Sequence, residues 1–376
     1  MSEASAAGGE AARGSAAAPL VLIEPRVGKG RGHYDELADA VLVGFAEHTR
    51  SAVMVGGLAE PPTGWSATSL GMDLAWIRHG APGARSEREA CGLAGTAGHA
   101  LILTARAAHA LALARPGLSR ELLERTSLLF HWPPRSAFER CLHRVAARAR
   151  RHCLALATTD AVRDSLRAVG WRRVRRIAYP VIAPPPPQAT SFRHVLMAGS
   201  LRFNKGLADL AALIERWSAR GEATPILLQS STKHPSRHGR REGPLLRRIE
   251  AAGYPLLREH EGTLDRAAYR GNFRGAITLA AYDPRTFGGQ VSGVALDAIL
   301  SGSPIVASED TEPAKLVREF GCGVVVRFGD VASLDEAVRS SRDDWESLSA
   351  RARTAAATLA SRHHPGSFVA DAFGPA

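Results

Sequence analysis

Short apolar runs alternate with segments of helical period along most of this chain, and one proline run, Ile182 to Ser191 (IAPPPPQATS), divides the pattern in two. In the first half the runs 20–24 (LVLIE), 52–55 (AVMV), 127–130 (SLLF), 154–158 (LALAT) and 174–177 read as strands. Residues 34–47, 137–151 and 160–169 carry helical spacing between them, and 101–104 (LILT) fits either a helix or a strand. In the second half, strands at 194–198, 225–229, 256–259, 276–280, 304–307 and 323–326 are separated by helices at 207–218, 244–252, 264–271, 293–301 and 313–319. Such alternation dictates parallel sheets covered by helices. Proline lacks an N–H and fixes its own φ, so the proline run enters neither a helix nor a central strand and reads as a stiff linker. The expected organisation is α/β: a tail at 1–18 too small and polar to order itself, a doubly wound domain at 19–182, the linker at 183–191, and a second doubly wound domain at 192–342. A helical segment at 343–376 is expected to pack back toward the first domain. In such sheets ligands bind beyond the carboxyl ends of the strands, which places the site in a cleft between the two domains.

A formal charge of +11 points to an anionic partner: a nucleotide, a phospholipid surface or nucleic acid. Arginines scattered by an Ala- and Arg-rich composition would give the same total. The four cysteines (Cys91, Cys141, Cys153, Cys322) form no CxxC pair, which argues against a zinc site and against a disulfide framework, and fits a reducing cytoplasm. No apolar run approaches the ~20 residues of a membrane-spanning helix, and the first residues lack the basic-then-apolar layout of a signal peptide.

One of the chain's four lysines lies in GSLRFNKG (Gly199 to Gly206), between the strand at 194–198 and the helix at 207–218. A glycine turn holding Arg202 and Lys205 at a helix start can cradle a phosphate through backbone N–H groups, a bidentate guanidinium and an ammonium. An ordinary loop with solvated charges would look the same. The second stretch runs from Tyr282 to Pro313. Gly288 and Gly289 let a ligand approach the backbone, Ser292 is a natural N-cap for a helix opening at Gly293, and Asp297 on that helix could accept from two ribose hydroxyls.

These two stretches resemble the donor-binding domain of the GT-B glycosyltransferases, in particular the retaining family 4. The glycine followed by a variable stretch and Lys-Gly matches GSLRFNKG, with Gly199 and Ser200 at the start, and LDAILSGSPIVAS matches the second of that family's two motif carboxylates at Asp297. The resemblance covers roughly 192–330, and the first domain by topology alone. Two positions depart from it. The motif arginine falls on Ser200, leaving Arg202 to reach the phosphates, and the first carboxylate falls on Gly289, with Gln290 and Ser292 the nearest polar side chains.

The resemblance implies two Rossmann-like domains facing a cleft, a nucleoside diphosphate sugar as co-substrate with no further cofactor and no metal, and hexosyl transfer with retention. The acceptor would be a hydroxyl of a glycan or lipid-linked saccharide, in the cytoplasm or at the inner membrane face. In the resembled enzymes the first βα turn faces the donor across the cleft. Here that turn holds Gly28, Gly30 and Gly32, too irregular for a dinucleotide fingerprint, and His33 at the helix start becomes a candidate acceptor contact. His131, at the end of the strand 127–130, is expected to face the same cleft and assist a reacting hydroxyl, a buried structural role being the other reading.

The helix at 137–151 carries Arg140, Arg144, Arg148 and Arg151, and Arg172, Arg173, Arg175 and Arg176 follow beside Trp171, read as exposed. Basic residues with an aromatic neighbour suit an anionic membrane surface, although solvated arginines covering apolar surface would read alike. No nucleic-acid-binding module is recognisable, and a basic patch alone confers only nonspecific affinity. Two further readings stay open: a non-catalytic nucleotide-binding protein of this fold, favoured by Gly289, and a nucleic-acid-binding or modifying protein driven by the arginines.

Overall fold

The computed structural model describes residues 20–24, 26–27, 33–46, 51–56, 73–78, 98–112, 119–230, 239–262 and 264–373. In the first domain the elements are β1 (Leu20–Ile23), α1 (His33–Ala46), β2 (Ser51–Gly56), β3 (Asp73–Arg78), β4 (His99–Ile102), α2 (Ala107–Ala112), α3 (Arg120–Glu124), β5 (Thr126–Phe130), α4 (Ala137–Ala149), β6 (Leu154–Ala157), α5 (Asp160–Ala168) and β7 (Val174–Arg176). The second contains β8 (His194–Met197), a 3-10 turn (Phe203–Lys205), α6 (Leu207–Arg220), β9 (Ile226–Ser230), α7 (Glu242–Ala251), β10 (Leu257–Glu261), α8 (Arg266–Gly271), β11 (Ala276–Ala280), α9 (Pro284–Phe287), α10 (Gly293–Leu300), β12 (Ile305–Ser308), α11 (Glu312–Phe320), β13 (Gly323–Val326) and α12 (Val331–Asp343). Two helices close the described chain, α13 (Trp345–Arg362) and α14 (Pro365–Phe373).

Both sheets are parallel throughout. Their strand orders are β3-β2-β1-β4-β5-β6-β7 and β10-β9-β8-β11-β12-β13, so the order reverses between β1 and β4 in one and between β8 and β11 in the other. The central strands β1, β8 and β11 are largely apolar because both faces are covered. Val21 and Ile23 join one core with Phe130 and Leu166, while Leu20 and Leu22 join another with Leu37 and Val41 on the opposite face. The second sheet repeats this, Val195 and Met197 packing with Trp217 and Leu196 with Ile299.

The open reading of 101–104 resolves as the strand β4, pinned between β1 and β5. Four residues cannot display a period, so the pairing decides. The strand β3 was not read from the sequence; DLAWIR mixes polar and apolar residues and pairs only at the sheet edge, with β2. Trp171 is corrected: it is 3% exposed, not a surface aromatic. After α5, Gly170 takes φ +100 and the Trp171 N–H reaches back to the Leu166 carbonyl at 3.1 Å, a helix-ending motif that folds the following apolar side chain inward. Trp171 then lies against Phe130 and His143 and donates its indole N–H to His143 Nδ1 at 3.3 Å.

The chain passes between the domains twice, side by side. Tyr179 and Val181 leave the first domain, and His363 returns from the second. The Val181 N–H donates to the His363 carbonyl at 2.9 Å, and His363 Nδ1 lies 2.6 Å from the Tyr179 carbonyl. The helix α14 then completes the first domain, with Phe368, Val369 and Ala372 buried beside Phe45.

Candidate active site

The loops leaving β8 and β11 meet at the switch point of the second sheet. After β8 the chain turns at Gly199 (φ +85), forms the 3-10 turn, and turns again at Gly206 (φ +84) before entering α6. Both glycines are required. A Cβ on Gly206 would stand 2.4 Å from the Ala281 carbonyl oxygen, and both backbones occupy the left-handed region. The Gly199 N–H donates to Gln229 Oε1 at 2.7 Å, and the Asp283 N–H to the Asn204 carbonyl at 3.0 Å, which ties the two loops together.

Lys205 emerges at this junction. Its ammonium lies 5.6 Å from the centre of the Tyr282 ring and 5.8 Å from that of Phe287, and 3.6 Å from where a Gly199 Cβ would stand. Among the described residues no carboxylate pairs with it. Desolvation, with the nearby Arg202 charge adding to it, pushes its pKa down to about 8. An unneutralised ammonium in a dry position costs stability unless a ligand supplies the counter-charge.

The entrance of α10 lies beside it, Val294 being 3.5 Å from the Gly199 Cβ position. Ser292 caps this helix by accepting the Ala295 N–H at 3.2 Å, and among the described residues the amides of Gly293 and Val294 have no protein acceptor. No atom lies within 4 Å of a Cβ built on Gly293, so the space before the helix is open. Gly199, Lys205, Ser292 and Gly293 therefore converge, with Arg202 near enough to repel Lys205. Ser200 lies in the same turn.

Gln290 turns away, donating its amide to the Thr286 carbonyl at 2.7 Å. Gly288 packs tightly on α9, a Cβ there meeting the Pro284 carbonyl oxygen at 2.4 Å. Gly289 (φ +73) faces the other domain. Its carbonyl accepts from the Thr159 hydroxyl at 2.7 Å, and a Cβ on it would stand 2.4 Å from the Ala161 Cβ of α5.

Asp297 lies in a separate polar cluster beneath the first domain. Burial pushes its pKa up to about 7 and the charge of Glu36 on α1 adds to this, while Arg270, Arg266 and a hydrogen bond from Tyr269 oppose it. Arg266 also spans the domains to Glu36 at 3.6 Å and Asp39 at 3.4 Å.

On the first domain, His33 opens α1, and its side chain lies outside the described residues, as do Gly28, Gly30 and Gly32. His131 does not open to the cleft. It is buried, its Nε2 lies 2.7 Å from the Leu103 carbonyl, and burial pushes its pKa down to about 4, so a neutral ring donates there and ties β5 to the turn after β4. The same sheet edge holds residues that the sequence reading did not single out. Glu24, fully buried, accepts from the Thr104 hydroxyl and from the Arg26 N–H at 3.0 Å. Arg106 lies over Trp132, 3.9 Å from the ring centre. Their one signal in the sequence is position, just beyond the ends of β1 and β4.

Of the surface arginines, Arg173 bonds the His152 carbonyl at 2.5 Å, Arg175 the Asp371 carbonyl, Arg176 the Ile177 carbonyl and Arg140 the Arg135 carbonyl. Arg144, Arg148, Arg151 and Arg172, with Arg167, line an open groove of about 690 Å³ between α4 and the end of α5.

Two facing doubly wound domains, with the switch point of the second opposite that of the first, form the GT-B fold of glycosyltransferases, and this chain has it. The structure is similar over 92% of this chain and 96% of the other to HepE from Anabaena in complex with UDP and glucose, at 13% identity and a TM-score of 0.69. It is similar over 95% and 100% to WaaG, a glycosyltransferase involved in lipopolysaccharide biosynthesis, at 13% identity and 0.65. Sucrose-phosphate synthase from Thermosynechococcus elongatus matches over 91% and 94%, at 14% identity and 0.66. No protein-family model matches the chain, and no curated protein matches it in sequence.

Proposed function

We propose that this protein transfers a sugar from a nucleoside diphosphate sugar to an acceptor hydroxyl, with the donor diphosphate held by Lys205, Arg202 and the amides that open α10. The observation that carries this reading is the unneutralised Lys205 ammonium at the junction of two glycine turns and a helix entrance. Cleavage of the bond from sugar to phosphate leaves its electron pair, and negative charge, on the diphosphate. Two fixed cations and two backbone amides aimed at that charge stabilise the transition state more than the ground state. They supply the positive charge that a divalent metal provides elsewhere, so we favour metal-independent transfer. UDP bound to HepE makes uracil the first base to test.

Retention at the anomeric carbon rests on the resemblance to family 4. The ribose contact is assigned to Asp297 on the same resemblance. Gly289 supports a second reading, nucleotide binding without transfer, because the motif carboxylate is absent there and Ala161 fills the space of its side chain.

For the acceptor we favour a glycan or lipid-linked saccharide, reached from the cytoplasmic membrane face. The support is the arginine groove together with Phe138 and Val145, which are 72% and 50% exposed on α4 among its arginines. No helix among the described residues is long and apolar enough to cross a membrane, so contact would be peripheral.

The test is calorimetric titration with UDP, GDP, ADP, TDP and CMP. Binding of one nucleoside diphosphate, weakened at least tenfold by Lys205→Ala, is expected. Absence of binding by all five overturns the reading and leaves salt-sensitive nucleic-acid binding as the next measurement. Release of nucleotide from the matching sugar donor separates transfer from binding alone.

A further inference from the structure

Three arginines stand in loops at the carboxyl edge of the first sheet, and the donor chemistry uses none of them. The strands β1, β4 and β5 are neighbours, Ile23 registering with Ile102 and Ile102 with Leu128, and the strand order reverses there. Arg26 lies in the loop leaving β1, Arg106 in the loop leaving β4 and Arg135 in the loop leaving β5.

Among the described residues none of the three forms a salt bridge, and other contacts position them. Arg26 has its backbone N–H fixed by the buried Glu24 and its guanidinium hydrogen-bonded to the Tyr34 hydroxyl. Arg106 stacks on Trp132 at 3.9 Å, which orients its planar fork. Glu139, whose charge acts on both Arg106 and Arg135, is engaged by the backbone N–H groups of Arg135 and Ser136 at 2.9 and 3.2 Å. Among the described residues the guanidinium groups of Arg106 and Arg135 have no hydrogen bond and no ion pair. Both residues are exposed, and the charge of Asp283, in the donor loop after β11, acts on Arg135. Burial first, and then the charge of Arg26, hold the Arg106 pKa down against the opposing charge of Glu139.

We infer that this edge binds an oxyanion, a phosphate or a carboxylate, carried by the acceptor, so that the acceptor is an anionic saccharide. The inference rests on the transferase reading for the word acceptor; the anion site itself does not. Planar forks match both oxyanions bidentately, an interaction that a neutral sugar does not offer.

The test titrates inorganic phosphate, glucuronate and glucose into the full chain saturated with the nucleoside diphosphate that the screen selects. Saturation blocks phosphate from the Lys205 site. Phosphate or glucuronate is expected to bind and glucose not to. Binding should weaken at least tenfold in Arg106→Gln and in Arg135→Gln, and nucleotide affinity should stay within twofold, which also shows that these variants fold. Tighter phosphate binding assigns a phosphorylated acceptor, and tighter glucuronate binding a uronic acid. The inference is overturned if the saturated protein binds neither anion, if the double variant binds as well as the parent, or if the glutamine variants lose nucleotide affinity, which would assign the arginines to the donor. Arginine-dependent phosphate binding in a protein that takes up no nucleotide sustains the anion site and sinks the transferase reading instead.

Discussion

Lys205 and Asp297 carry ionisations moved toward neutrality by the same cause, burial, acting on opposite charges. Diphosphate binding needs the ammonium, and in the free protein that ammonium loses its proton above pH about 8. Nucleotide affinity should therefore stay level with respect to this group below pH 8 and fall by up to tenfold per pH unit above it. In Lys205→Ala the affinity drops ~10- to 100-fold at neutral pH, as removal of one or two charge-assisted bonds requires, and the alkaline fall disappears in calorimetry across pH 6 to 10. For Asp297 the folded pKa is raised from 3.8 to about 7, so the unfolded chain gives up its proton first and stability declines as pH rises between those values. Asp297→Asn should accordingly gain about 1–3 kcal/mol at pH 8, after allowance for partial exposure, and little at pH 4, measured by urea unfolding at both. Gly289 offers the converse case. Gly289→Glu restores the carboxylate type seen in the resembled family, yet the positive φ and the contact with Ala161 make it destabilising by about 2 kcal/mol or more. Ala161→Gly should relieve part of the loss of melting temperature.

Two helices show how an element's role depends on what covers it. The last helix, α14, packs across α1. Phe373 meets Phe45 edge-on at 4.8 Å, and Gly44 admits the Pro365 carbonyl where a Cβ would stand 2.4 Å from its oxygen. Phe368→Ala should cost ~3–5 kcal/mol in denaturant unfolding, the range for a large core aromatic. On α4 the inner face is read easily, Ala146 and Ala147 being buried, whereas Phe138 and Val145 stay exposed among arginines. Trp171, adjacent in the sequence reading, does not join them. If this face docks on lipid, Phe138→Asp and Arg144→Glu each weaken sedimentation with phosphatidylglycerol vesicles several-fold, at about 1 kcal/mol per basic residue near the surface, and neither alters nucleotide binding.

At the scale of the molecule, the two crossings at Tyr179 to Val181 and at His363 form a paired hinge, and contacts across the cleft include Thr159 to Gly289 and Arg266 to Glu36 and Asp39. None of these pairings was legible in the sequence, because each joins residues more than a hundred positions apart. The donor loops were more legible. Gly199, Lys205 and Gly293 stand at βα turns whose glycine positions and flanking periods are local, and the parallel sheet brings successive turns to one edge. Arg106 and Arg135 were missed because a lone arginine after a strand has no local signature.

The sequence by itself determined the two doubly wound sheets, since strands buried on both faces must be apolar throughout and helices between them must keep one apolar stripe. It also determined where the glycine turn that carries Lys205 stands. Tertiary structure alone decided that Lys205 has no counter-charge among the described residues, that His131 is spent on a carbonyl, that Ala161 occupies the place of the missing carboxylate, and that three arginines from separate loops share one edge. Each of these depends on which distant groups exclude water from a side chain, and water exclusion is a property of the packed molecule.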